Sequence, residues 1–254
     1  IRAVPLGLTR LLPIPALWLF AVILLFPDLH YATDSESLSS TFKEFWQGRL
    51  FLIVRSILWL SVWVGFSRLF VNSALRHDGG GPHPVSKRLS RISVLFLVLF
   101  SLTFWLSTQD WILSLTPNWH STAFAVYNFA GFFLGGIAVI ILLSLGLSAK
   151  PDSAIKLEER TLLQFGRLLF AISCLWAYLW FSQYMLIWYA HIPWEAGYFV
   201  NRLRTDWASL FYLCLTLNWL IPFLALMPHR SKTSPSTLGK IAAVVLIGRW
   251  VEIY

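Results

Sequence analysis

Three charged residues stand inside otherwise apolar runs of this chain: Arg55, Arg249 and Glu252. A charge within a membrane span costs a few kcal/mol even on a lenient scale, so each one asks for a reason. Arg249 lies nine residues past Lys240, about 13 Å deep at the helical rise, and Glu252 follows one turn later on nearly the same face. Arg55 lies six residues inside Arg49, about 9 Å from the opposite boundary. The expectation is a buried polar cluster of Arg55, Arg249 and Glu252. Two readings stay open: a static ion pair that fixes helix packing, and a proton path with Glu252 taking up and releasing the proton.

A second set lies where spans run into water. In FSQYMLIWYAHIPWEAGYF, Tyr184, Trp188 and His191 are spaced by four and three residues and so share a helix face. Pro193 excludes Ile192 from helical geometry, which ends the helix near His191 and leaves Glu195 in a loop. Gln183, Tyr184, Trp188, His191 and Glu195 thus suit a quinone headgroup or a docking partner, or form an ordinary interfacial belt. In STQDWILSLTPNWHSTAF, Asp110 and His120 flank a short turn ended by Pro117. They are candidates to relay protons, or are a turn cap and a solvated histidine.

Other redox chemistry lacks its residues. All six histidines fall at span boundaries or in loops, where facing haem ligands do not sit, and no Cys-x-x-Cys-His is present. Cys174 and Cys214 read as small buried side chains. No metal or cofactor is expected on this chain itself. Gly131 and Gly135 form a GxxxG that predicts close helix packing. Asn128, Gln183 and Asn218 are polar within spans, where bonding across helices is the usual role.

The elements that position these residues follow from hydropathy. Of 254 residues 57% are apolar and 13% charged. The apolar residues come in blocks of roughly 20, the length that crosses a hydrocarbon core. The expected fold is an all-α polytopic membrane protein with seven spans: Leu11 to Pro27, Leu50 to Leu75, Ile92 to Trp111, Thr122 to Leu147, Leu168 to Tyr189, Trp207 to Met227, and Ile241 onward. With no repeat and no soluble domain boundary, residues 1–254 read as one transmembrane domain. Its start at Ile1 and its short last run lead us to expect a segment of a longer helical-bundle subunit. Alternating the connections puts most of the 20 Lys and Arg on one side, which the positive-inside rule makes cytoplasmic. That topology accounts for the net charge of +8, and basic residues split among short loops do not make a nucleic-acid surface.

Four stretches together resemble one family: TQDWILSLTPNWHSTAFAVYNFAGFF, LLFAISCLWAYLWFSQYMLIWYAHIPWEAGYF, LNWLIPFLALM and LIGRWVEIY. In order and spacing they are similar to the ActF-type membrane subunit of bacterial alternative complex III, a quinol:electron-acceptor oxidoreductase, within the NrfD and polysulfide-reductase membrane-subunit superfamily. The resemblance implies about ten helices in a full member and a multi-pass place in the bacterial inner membrane. It implies no redox centre on this chain, a sister NrfD-like quinol-binding membrane subunit beside it, and periplasmic iron–sulfur and haem c subunits above. The family's Tyr-Gly-Asn-Ile-Pro-Glu-Glu pattern reads here Tyr189, Ala190, His191, Ile192, Pro193, Trp194, Glu195. That keeps the proline and one carboxylate but not the paired acids. Asp110 with Trp111, His120, and Arg249 with Glu252 match positions where the family places polar groups. Two other readings stand beside it: a quinol-binding subunit of a related reductase, and a stand-alone secondary transporter, although no matched pair of broken spans supports the latter.

Overall fold

The computed structural model describes residues 3–25, 45–46, 48–77, 87–115, 121–150, 156–190, 196, 199–200, 202–203 and 207–253. Every regular element of more than one turn among them is helical. Six segments are long and apolar enough to cross a membrane: Val4–Leu25, Arg49–Ser73, Ser90–Leu115, Phe124–Ser148, Glu159–Ala190 and Ala208–Leu226. The chain is an all-α polytopic membrane protein. Large apolar side chains such as Trp18, 72% exposed, and Leu97, 61% exposed, face outward along these helices. In water that surface would be strongly unfavourable, whereas lipid tails solvate it as well as a protein core does.

The helices cluster into two compact units, Arg2–Pro117 and Asn118–Tyr254. The first contains α1 (Ala3–Leu11), α2 (Pro13–Leu25), α3 (Arg49–His77) and α4 (Lys87–Trp111), with a short 3-10 turn at Leu113–Leu115. Proline lacks the N–H that would continue the helical ladder, so the first span breaks at Pro13 and then resumes. It therefore starts at Val4, earlier than the apolar run alone indicates. Ser67 on α3 donates to the Thr9 carbonyl at 3.0 Å, tying the two together next to this break. Between α3 and α4 runs a file of rings, Phe70, Phe96, Phe66, Phe100, Trp63 and Phe104, at centroid spacings of 5.2–6.3 Å. Such ring pairs add to the dispersion that holds helices together in lipid.

The second unit contains α5 (Phe124–Ser148), α6 (Glu159–Ala190), α7 (Ala208–Leu215), a π-helical turn (Thr216–Leu220), α8 (Ile221–Leu226), α9 (His229–Thr233) and α10 (Pro235–Ile253). The segments α5, α6, α7–α8 and α10 close into a ring, each packed against two neighbours. Leu134, Ile141, Leu169, Trp176, Leu226, Leu238 and Val245 fill its centre without exposure. The α6 helix starts nine residues before the apolar run, since Arg160 and Arg167 can extend it beyond the hydrocarbon. The seventh expected span is α10, 19 residues long, and its Lys240, Arg249 and Glu252 set it apart from the six apolar segments.

Candidate functional site

Glu252 sits one residue before the end of α10 and is met by a side chain from each of the other three segments. From α5 the Tyr127 hydroxyl donates to Oε1. From α6 the Trp176 indole N–H donates to the same oxygen at 3.3 Å. From α7 the Cys214 thiol is buried close to the carboxylate. On α10 itself Arg249 forms the ion pair with Oε2, one turn away. The Arg249 side chain is 9% exposed and that of Glu252 14%. Tyr127 and Trp176 also pack ring to ring, with centroids 5.9 Å apart.

Gly131 makes this arrangement possible. A Cβ built on it would stand 2.5 Å from Arg249 Cζ, whereas one on Gly135 would meet Arg249 Cγ at an ordinary 3.6 Å. The GxxxG of α5 is therefore a slot for an arginine side chain and does more than bring two backbones together. A comparable fit occurs beside it. A Cβ on Gly248 of α10 would lie 2.8 Å from Leu217 Cβ and 2.9 Å from Asn218 Nδ2, so the π-helical turn and α10 touch there. Ser173 on α6 donates to the Asn218 carbonyl at 2.6 Å. The Asn218 amide in turn donates to the Cys214 carbonyl at 3.0 Å and to its sulfur at 3.4 Å. Asn218, fully buried, thus links the π-helical turn to the thiol close to Glu252.

Arg55 has a partner that its depth alone did not point to. In the first unit it forms an ion pair with Asp110 at 2.9 Å, each side chain 6% exposed. Its guanidinium stacks over Trp46 at 4.1 Å and Phe51 at 4.7 Å. The Trp111 indole donates to Ser56 at 3.0 Å, and Ser114 caps the Asp110 carbonyl at 2.6 Å. Since α3 begins at Arg49 and α4 ends at Trp111, these residues meet at the shared end of a hairpin. A carboxylate on the next helix in sequence is reached more directly than one two hundred residues away. Arg55 and Asp110 form one ion pair, in the first unit, and Arg249 and Glu252 another, in the second. Asp110 is thus a buried partner of Arg55.

The outer aromatic stretch is described in part. Gln183 is buried, and its amide donates to Ser121 at 3.1 Å. Tyr184 stacks on Trp180 at 6.0 Å and meets Phe199 edge-on at 5.4 Å. Trp188 is 63% exposed. The shared face of Tyr184 and Trp188 therefore turns from protein contact to the surroundings within one turn. His120, His191 and Glu195 lie outside the described residues. Both cysteines are free, Cys214 buried and Cys174 partly so. Among the described residues no three His, Cys, Asp or Glu side chains gather as a metal site requires.

Sequence reasoning passed over Tyr127, Trp176 and Cys214. Aromatic residues in spans are read as belt or core, and nothing in their spacing ties them to position 252. The available signal was the charge itself: a carboxylate inside a bundle needs donors, and Tyr and Trp are the apolar residues that carry one. Neither a protein-family model nor a curated protein matches the chain.

Proposed function

We propose that this chain is an ActF-type membrane subunit of an alternative complex III, a quinol:electron-acceptor oxidoreductase of the bacterial inner membrane. It has no redox centre of its own in this reading. It packs beside a quinol-binding sister subunit, under iron–sulfur and haem c subunits, and Glu252 carries protons through its second unit. The resemblance of the four quoted stretches supplies the family. The observation that carries the proton role is a carboxylate enclosed by four helical segments and bonded by Tyr127, Trp176 and Arg249. A group so placed is expensive to keep in a membrane, and such residues commonly mark ion or proton pathways. Gln183, Tyr184 and Trp188 then form part of the surface that meets partners or a quinone at the outer face.

Mild-detergent purification from the native membrane, with a reduced-minus-oxidised spectrum and subunit masses, tests this reading. A haem c band together with iron–sulfur and sister membrane subunits is expected. A colourless, solitary protein would overturn it and leave transport as the leading idea.

A further inference from the structure

The groups that bond Glu252 differ in what they can do once it is protonated. An ionised carboxylate only accepts, and Tyr127, Trp176 and Arg249 all donate to it. A protonated Glu252 has an O–H that needs an acceptor in a low-dielectric interior. Trp176 and Arg249 have none to offer. The Cys214 sulfur accepts weakly and already receives the Asn218 amide at 3.4 Å. The Tyr127 hydroxyl is the strong acceptor in the set, and it needs only to rotate about its C–O bond to change from donor to acceptor. Tyr127 is also three residues from the start of α5, so it lies roughly 4.5 Å inside that helix end. The Ser121–Gln183 hydrogen bond belongs to the same end.

We infer that the Tyr127 hydroxyl is the exchange point through which Glu252 gives up its proton toward the end of the bundle where α5 begins. As the Glu252 O–H proton moves onto the Tyr127 oxygen, the proton that oxygen already held passes to a water molecule on the Ser121 and Gln183 side. Tyr127 ends neutral, Glu252 ends ionised beside Arg249, and the water leaves as hydronium. Trp176 holds the carboxylate in place but does not relay. The step rests on Glu252 being a proton carrier, as proposed above, and specifies which neighbour serves it.

The test is hydrogen–deuterium exchange of the Glu252 carboxylic acid, followed by infrared difference spectroscopy on the chain purified from its native membrane with whatever subunits accompany it. The band is assigned by its loss in Glu252→Gln. In Tyr127→Phe the exchange is expected to slow at least tenfold, a threshold set below the about 10²–10⁴ of general acid–base assistance. Tyr178→Phe, which removes a hydroxyl from the exposed groove beside Cys174 and Phe181 and not from the Glu252 site, leaves the rate unchanged. Exchange in Tyr127→Phe at the parent rate would overturn the inference, and so would slowing of equal size in Tyr178→Phe. Absence of any protonated Glu252 band at every pH where the chain stays folded would overturn both the inference and the proton role beneath it. If Tyr127→Phe does not fold, the parent chain with ring-labelled tyrosine decides: a tyrosine C–O band moving in step with the Glu252 band is expected, and tyrosine bands that stay fixed overturn the assignment. A purification that yields no haem or iron–sulfur subunits would remove the complex reading while leaving this readout intact.

Discussion

The guanidinium of Arg249 occupies the space that a side chain at position 131 would need, with a Cβ on Gly131 only 2.5 Å from Arg249 Cζ. Arg249 is held in turn by Glu252. Gly131→Ala should therefore displace the ion pair and destabilise the second unit by about 1–3 kcal/mol, the usual range for overpacking. Gly136→Ala, where a Cβ meets nothing within 4 Å, is the control and should be neutral or mildly stabilising. Thermal unfolding in detergent reads the difference. Equal tolerance at 131 and 136 would mean that Arg249 sits elsewhere.

The Arg55–Asp110 pair predicts a different pattern. Because both side chains are buried, removing one leaves the other charge uncompensated, at a cost of about 3–5 kcal/mol. Arg55→Met and Asp110→Leu should each be strongly destabilising. The double variant should recover much of the loss, since two apolar groups of similar volume replace the pair. Additive losses in the double variant would show that the two residues do not act as a pair.

How these two pairs escaped or yielded to sequence reading has a physical basis. The spans were legible because a bilayer demands long apolar runs, and the structure keeps all six that it counts within a few residues of the hydropathy limits, apart from the ends that water or proline extends. That Arg55 and Arg249 would be buried, and Glu252 mostly so, also followed from depth. The Arg249–Glu252 pair followed from their one-turn spacing, but the other partners did not, because depth along a helix says nothing of which neighbour it faces. Arg55 went to Asp110 across a hairpin, and Glu252 drew donors from aromatic residues that composition assigns to packing. The role of Gly131 was half visible, as a close approach of unknown object.

The cysteines offer a check on the second unit. Cys214 faces the interior beside Asn218 and Glu252, whereas Cys174 lines an apolar groove with Tyr178, Phe181 and Trp219. A small lipid-soluble alkylating reagent should modify Cys174 well before Cys214 in folded protein, and a membrane-impermeant maleimide should reach neither until the chain is unfolded. Thiol reactivity needs both access and thiolate, so both rates will be low, and their order is the informative quantity. Earlier modification of Cys214 would contradict the packing of α7 against α10.

A static ion pair and a proton carrier at Glu252 differ in what Glu252→Gln should do. The amide oxygen of glutamine can still accept from Tyr127 and Trp176, but its NH2 would point a donor at the Arg249 guanidinium. On either reading the single variant should be destabilised by about 3–5 kcal/mol, because Arg249 loses its counter-charge in a buried position. Adding Arg249→Met removes that charge and should restore most of the stability. The rescued double variant then separates the two readings. A purely structural pair would leave proton movement by the purified assembly intact once the fold is restored, whereas a carrier would not, since neither glutamine nor methionine can take up and release the proton. Stability recovered together with lost proton movement is the expected outcome, measured by unfolding and by proton uptake in reconstituted vesicles. Recovery of both would reduce Glu252 to a packing device.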